Sequence, residues 1–326
     1  MGYYVPSNVV TNDDLASIMD TNNDWIVERT GINERRWIKD NSESTSSMAL
    51  EASKNAIADA GIDKTEIDFI IFATLSPDYY FPGPGVTLQK DLGLDTIGAL
   101  DVRNQCSGFV YALSIADQYI KTGMYKNILV VGSEYHSGGL DKSTKGRGVT
   151  VIFGDGAGAA IVSKSPNADR GILSTHLHSQ GEFAEELTLI GPSTRRWVPE
   201  IIDGAGKDDE AIYPYMNGTF VFKHAVTRFP QVIGEALTQN NLKSTDIDLL
   251  IPHQANLRIS QFVQQKMGLR EDQVFNNIQK YGNTTAASIP IALAEAKLAG
   301  KVKEGDLICL AAFGSGFTWA SALIRW

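Results

Sequence analysis

The chain has 326 residues, 43% of them hydrophobic, enough to bury a full core and suggestive of about two domains of ordinary size. Its net charge of −9 argues against nucleic acid as the main partner, because phosphate binding needs a concentrated basic face. Two cysteines make no disulfide framework, and the longest apolar stretches, such as 69–74 and 308–313, are too short to span a bilayer.

The N-terminus, Met-Gly-Tyr-Tyr-Val-Pro, lacks a basic start followed by an apolar core. No secretory signal is read, so a cytoplasmic location with both cysteines reduced is expected. From Ala56 the chain runs Ala-Ile-Ala-Asp-Ala-Gly-Ile-Asp-Lys-Thr-Glu-Ile-Asp-Phe-Ile-Ile, the end of a helix, a polar turn and a buried strand over 69–73. A hydrophobic stretch ending at Leu100 then precedes Asn-Gln-Cys-Ser-Gly-Phe and a helix-like run over 110–122. Cys106 is therefore expected at a helix N-terminus, where unpaired amides and the positive end of the dipole lower a thiol pKa and make it nucleophilic. The competing reading is a buried, inert cysteine. After a strand over 128–132 comes Phe-Gly-Asp-Gly-Ala-Gly-Ala-Ala, Phe153 to Ala160. It has neither the Lys-Ser/Thr of a P-loop nor Gly-x-Gly-x-x-Gly spacing, and is read as small residues that permit close strand packing. In the strand-like 171–178, His176 and His178 share a face, but no further ligand has matching spacing. They are read as surface or interface histidines rather than a metal pair.

The segment from Ala236, Ala-Leu-Thr-Gln-Asn-Asn-Leu-Lys-Ser-Thr-Asp-Ile-Asp-Leu-Leu-Ile, matches the one from Ala56 at an offset of 180 (236 against 56). Asn283 to Gly300 repeats the turn and helix of Cys106 to Gly123 at an offset of 177 (283 against 106), and each helix leads through a basic turn to a strand, over 128–132 and 307–312. The chain is thus read as two α/β halves, 1–167 and 168–326, each a mostly parallel sheet covered by helices. A pseudo-twofold axis would make the helix starts at Cys106 and Asn283 equivalent and set them face to face. His253, directly after the strand over 249–251, would project from a carboxyl strand end toward the same place. Applying the offset to 171–178 puts its N-terminal counterpart before Met1, so the first sheet is expected to lack a strand.

A thiolate beside an imidazole suits acyl transfer, since a thioester splits one difficult step into two easier ones. Papain-like proteases share the Cys, His and Asn trio, but their Cys-Gly-Ser-Cys-Trp signature is missing and a duplicated α/β chain is the wrong scaffold. With its flanks, the set resembles the β-ketoacyl-[acyl carrier protein] synthase III family, initiating condensing enzymes of bacterial fatty-acid synthesis. The resemblance rests on Asp24 to Ile32, Phe153 to Ala160, Pro252-His253-Gln254-Ala255-Asn256-Leu257-Arg258, Gly282-Asn283-Thr284-Thr285-Ala286-Ala287-Ser288 and Phe313-Gly314-Ser315-Gly316-Phe317-Thr318-Trp319.

The resemblance implies a thiolase-like fold of five α-β-α-β-α layers. Cys106 would take an acyl group from an acyl-CoA primer. His253 and Asn283 would then stabilise the enolate formed when malonyl-acyl carrier protein loses CO2, and no cofactor or metal is required. The backbone N–H groups of Cys106 and Ser315 would form the oxyanion hole, and Phe313 would shield the nucleophile. Trp25, Arg29, Arg147, Gly148, Phe222 and Asn256 would hold the CoA. Lys223, Arg258 and Lys266 would dock the acidic carrier protein, with Gln265 standing where some relatives have a basic residue. Phe81 would reach the partner's acyl pocket, implying a homodimer. A related enzyme of secondary metabolism with a longer, branched or aryl primer, and a catalytically silent carrier-protein-binding subunit, are the alternative readings.

Overall fold

The computed structural model describes residues 1–40 and 42–326. In chain order its strands are β1 (Gly2–Tyr4), β2 (Val9–Thr11), β3 (Glu34–Arg36), β4 (Phe69–Ala73), β5 (Gly98–Val102), β6 (Asn127–Glu134) and β7 (Gly156–Ser163). There follow β8 (Gly171–Ser179), β9 (Leu187–Thr188), β10 (Tyr215–Met216), β11 (Leu249–Pro252), β12 (Leu307–Gly314) and β13 (Thr318–Arg325). One sheet has the order β1-β7-β6-β4-β5 and the other β11-β12-β13-β8. In the first, β4 pairs in parallel with β5 and β6, and β7 runs antiparallel between β6 and β1. The second repeats this pattern, β11 with β12 parallel and β13 antiparallel between β12 and β8. A single parallel bridge from Leu250 to Val274 stands in the place of β5.

Burial on both faces explains the apolar reading of β4, β6, β11 and β12. Along β4, Phe69, Ile71 and Ala73 enter a central core shared by both sheets, while Ile70 and Phe72 enter a separate outer core. The central layer consists of the helices Gly108–Lys121 and Ser288–Leu298. The second of these is apolar nearly all round, as a helix between two sheets must be. The helix Thr45–Ala60 covers the outer face of the first sheet, and the helices Gly218–Gln239 and Leu257–Met267 cover that of the second. The architecture is five-layered and thiolase-like, α-β-α-β-α.

Two sequence expectations need correction. The offset of 180 holds for the inner parallel strands and the central helices: β4 against β11 (69, 249), β6 against β12 (127, 307), and the helices (108, 288). Each central helix follows a 3-10 turn, Gln105–Ser107 or Thr285–Ala287, whose first residue has a positive φ, 42° at Gln105 and 49° at Thr285. Cys106 is therefore matched by Ala286, not by Asn283, which lies three residues earlier. Nor is the first sheet without a strand at its β8 position. There β1 pairs Gly2 to Tyr4 with Ala157 to Ala159, a shorter contact than that of the nine-residue β8. Beyond it, Ala160 to Ser163 line a cavity of about 790 Å³ with Met1, Gly171 and Trp326, which includes none of the expected catalytic residues.

The halves differ most between their last two inner strands. Residues 315–317 join β12 to β13 directly, whereas 135–155 make an excursion between β6 and β7. That excursion carries Arg147 and Gly148. It is pinned to the N-terminal segment by the buried Arg35, which donates to the carbonyls of Val10 (3.1 Å) and Val151 (2.8 Å), and by Trp37 Nε1 donating to Phe153 O at 3.0 Å.

Candidate active site

A cavity of about 450 Å³ is lined by Cys106, His253, Asn283, Phe313 and Gly314 at its inner end, and by Trp25, Arg29, Gly148, Phe222, Asn256 and Arg258 toward its mouth. It gathers residues from both halves, since strand ends and helix starts of the two sheets meet there. The backbone of β12 delivers Phe313 and Gly314, and β11 delivers His253, whose N–H continues the parallel ladder to Ala311 O at 2.8 Å.

Cys106 is buried, and the N–H groups of Cys106 and Ser315 both favour a negative charge on its sulfur. The Ser315 hydroxyl donates to Leu187 O, so the Gly-Ser-Gly turn offers its amide rather than its side chain to the nucleophile. The expectation of a lowered thiol pKa is not met. Burial, aided by the charge of Glu134, pushes the thiol up to about 12 against those two amides. A one-turn 3-10 start placed between two sheets loses more by desolvation than its amides return. Gly314 explains how closely the turn approaches: a Cβ there would lie 2.7 Å from the Cys106 sulfur and 2.5 Å from its Cβ. Gly314→Ala is therefore expected to displace the thiol and slow acylation about 100-fold while the protein still folds, as measured by adduct formation in intact-protein mass spectra.

His253 Nδ1 lies 2.6 Å from Ser288 Oγ, which also accepts from Gln254 N at 3.3 Å. The Ser288 hydroxyl can give its proton to Nδ1, and in that tautomer the imidazole proton sits on Nε2. Nε2 has no hydrogen-bond partner among the described residues and is buried. Burial lowers the imidazole pKa to about 3, so the ring is neutral. The Asn283 backbone is clamped by the glycine-rich segment, its N–H donating to Ile152 O (2.8 Å) and its carbonyl accepting from Gly154 N (3.0 Å). Asn283 Oδ1 accepts from Thr285 N at 2.9 Å, which leaves the Nδ2 hydrogens for the cavity. The Phe153 to Ala160 segment thus acts on backbone and packing: Asp155 accepts from the N–H groups of Ile38, His136 and Ser137 and from the Ser137 hydroxyl.

At the mouth, the Trp25 ring has the guanidinium of Arg29 at 4.6 Å and that of Arg147 at 5.3 Å from its centroid. Arg147 is held by Asp20, and Asn256 Nδ2 donates to Arg29 O at 2.8 Å. Arg258 stands 5.6 Å over Phe222. Lys223 and Lys266 are exposed outside the cavity; on the helix Leu257–Met267, Arg258, Phe262 and Lys266 follow at four-residue spacing and share a face. Phe81 does not line this cavity. It is 81% exposed beside exposed Tyr79 and Tyr80. His176 and His178 both contact Glu235, at 3.3 and 2.6 Å. Among the described residues no group of three or more His, Cys, Asp or Glu could hold a metal ion.

Sequence reasoning missed Glu134, His136 and Ser288. The first two close the carboxyl end of β6, and the strand-end logic that picked out His253 would have found them. Glu134 is wholly buried, accepts from Thr74 Oγ1 (3.1 Å), Ser76 Oγ (2.6 Å) and Leu75 N (3.2 Å), and is pushed up to about 7 by burial.

Two duplicated sheet-and-helix halves closing over a buried Cys, His and Asn define a condensing enzyme of the thiolase-like class. Residues 100–181 match the family model described as 3-oxoacyl-[acyl-carrier-protein (ACP)] synthase III, and residues 237–326 match that of its C-terminal part. The chain is 45% identical over 325 residues to beta-ketoacyl-[acyl-carrier-protein] synthase III of Aliivibrio fischeri, covering 99% of this chain and 97% of the relative. It is 46% identical to the Salmonella typhi protein of the same name, with the same coverage. The solved 3-oxoacyl-[acyl-carrier-protein] synthase III of Aquifex aeolicus superposes with a TM-score of 0.91 at 42% identity, covering 100% of this chain and 98% of that one. The chain belongs to the 3-oxoacyl-[acyl-carrier-protein] synthase III family.

Proposed function

We propose that this enzyme starts fatty-acid chains as an acyltransferase, condensing a short acyl-CoA primer with malonyl-acyl carrier protein to give β-ketoacyl-carrier protein, CO2 and CoA. The observation that carries this reading is the meeting, in one cavity, of the buried Cys106 thiol, whose charge two backbone amides favour, with the unpartnered His253 Nε2 and the free Nδ2 hydrogens of Asn283.

In the first half-reaction the Cys106 sulfur bonds the acyl carbon and the bond to the CoA sulfur breaks. The Cys106 proton ends on the CoA thiol. The tetrahedral oxyanion is held by the two amides. In the second, malonyl thioester loses CO2, and the electron pair left behind delocalises onto the thioester oxygen, where His253 and Asn283 donate. The α-carbon then attacks the acyl carbon, and the Cys106 thiolate leaves and is reprotonated. Phe313, buried beside the nucleophile, supplies an apolar wall that favours loss of charged carboxylate as neutral CO2.

Trp25 between its two arginines suits an adenine ring and the phosphates beside it. Trp25→Ala is expected to raise KM for acyl-CoA about tenfold with little change in kcat, checked by steady-state kinetics against the primer. Lys223 and the Arg258–Lys266 face offer a local basic patch to the acidic carrier protein on an enzyme of net charge −9. The exposed 79–81 aromatics suit a homodimer interface. No helix of the described chain is long and apolar enough to cross a membrane, which accords with a cytoplasmic enzyme.

The test is mass spectrometry of the intact protein after exposure to a panel of acyl-CoAs. Adducts of short acyl groups that are then passed to malonyl-carrier protein support the reading. A preference for long or aryl groups would move the enzyme to secondary metabolism, and no adduct from any member would overturn it.

A further inference from the structure

His136 has no place in the two half-reactions, yet it is buried beside one of their principal groups. Its backbone N–H is fixed by Asp155 Oδ1 at 2.7 Å, and its ring packs 4.8 Å from that of Phe153. Its Nε2 lies 2.7 Å from Thr285 Oγ1. Thr285 in turn gives its backbone N–H to Asn283 Oδ1 at 2.9 Å. Because an amide N–H can only donate, this bond decides which end of the Asn283 carboxamide is the acceptor and which is left for the cavity.

Thr285 is the weak joint in that arrangement. Its φ of 49° is a left-handed conformation that a β-branched residue adopts only when its surroundings impose it. Thr285 is wholly buried, and its hydroxyl meets the His136 ring nitrogen. We propose that His136 is a positioning residue for Asn283: through Thr285 it holds the carboxamide so that Nδ2, not Oδ1, meets the developing enolate. Asn283 is held from its other side by backbone alone, through Ile152 and Gly154, which fixes where the residue sits but not how its amide is turned. Burial keeps the His136 ring neutral, with its pKa lowered to about 3, so the contact persists across the working pH range.

This inference rests on the assignment of Asn283 to the decarboxylation step, and the experiment separates the two. Acylation of Cys106 is followed by intact mass, and release of CO2 from malonyl-carrier protein is measured on the pre-acylated enzyme. His136→Leu is expected to keep acylation within about twofold and to slow CO2 release about tenfold. His136→Gln, whose carboxamide can present either a donor or an acceptor where Nε2 stands, should recover most of that loss. Thr285→Val, which keeps the β-branched shape and removes only the hydroxyl, should show the same selective loss even if the His136 variants fold poorly. Equal losses in both half-reactions, no loss, or no rescue by glutamine would overturn the proposal. If Asn283→Ala slows CO2 release while His136→Leu and Thr285→Val do not, the positioning role alone falls. If Asn283→Ala leaves CO2 release intact, the assignment of Asn283 falls and takes this inference with it.

Discussion

Cys106→Ala is expected to give no acyl adduct with any acyl-CoA and to lower condensation by ~10⁴-fold or more, the scale of loss when a covalent mechanism is deprived of its nucleophile. Intact mass and steady-state condensation assays measure the two effects. The wild-type thiol should show a pH signature of its own. Burial and Glu134 raise its pKa to about 12, so the protonated form persists through neutral and mildly alkaline pH. Alkylation by iodoacetamide should then climb about tenfold per pH unit from pH 7 to 10 without levelling off, since the thiolate is the reacting species. A plateau at or below pH 8 would mean that the amides at the helix start outweigh desolvation. The same amides that only partly stabilise a thiolate in the resting enzyme are placed to act later. Once the acyl group is on the sulfur, charge moves to the carbonyl oxygen, and fixed donors in a water-poor pocket cost no reorganisation at that moment.

Much of this site was legible before any coordinates. The 180-residue repeat carried the two-sheet architecture, because β4 and β11 or β6 and β12 occupy equivalent buried positions and need the same apolar pattern. His253 followed from its place after a strand. The 177 offset pairs Asn283 with Cys106, whereas the turns themselves pair Cys106 with Ala286. Asn283 still lines the same cavity as Cys106, since the two turns pack against each other, with a Cβ at Gly108 only 3.5 Å from the Ala286 Cβ. What stayed hidden depends on closure between distant segments. The direction of the Cys106 pKa is set by how completely both halves bury it. The contact of His253 with Ser288 spans 35 residues, and that of His136 with Thr285 spans 149. The excursion over 135–155, which brings Arg147 to Trp25, breaks the repeat and so left no periodic trace.

Replacing His253 with alanine should spare the first half-reaction and suppress the second. Acylation is expected to stay within a few-fold of wild type, because the oxyanion there is held by the N–H groups of Cys106 and Ser315, which the substitution does not touch. Decarboxylation of malonyl-carrier protein should fall by about 10²–10³, the usual cost of losing one preorganised donor to a developing oxyanion. Asn283→Asp should fall further, since a carboxylate at that position repels the enolate where the carboxamide attracts it. The pH dependence follows from the direction of the shift. His253 is depressed to about 3, so it is neutral at every pH above that value, and its own titration puts no acid limb on the CO2-release rate between pH 5 and 8. An acid limb near pH 6.5 that vanished in His253→Ala would place an ordinary imidazole there. Rapid-quench measurement of acyl transfer and of CO2 release on the same preparations resolves the question. Equal loss in both steps would show that His253 serves the thiol as a base, and the division between amides for acylation and side chains for decarboxylation would not stand.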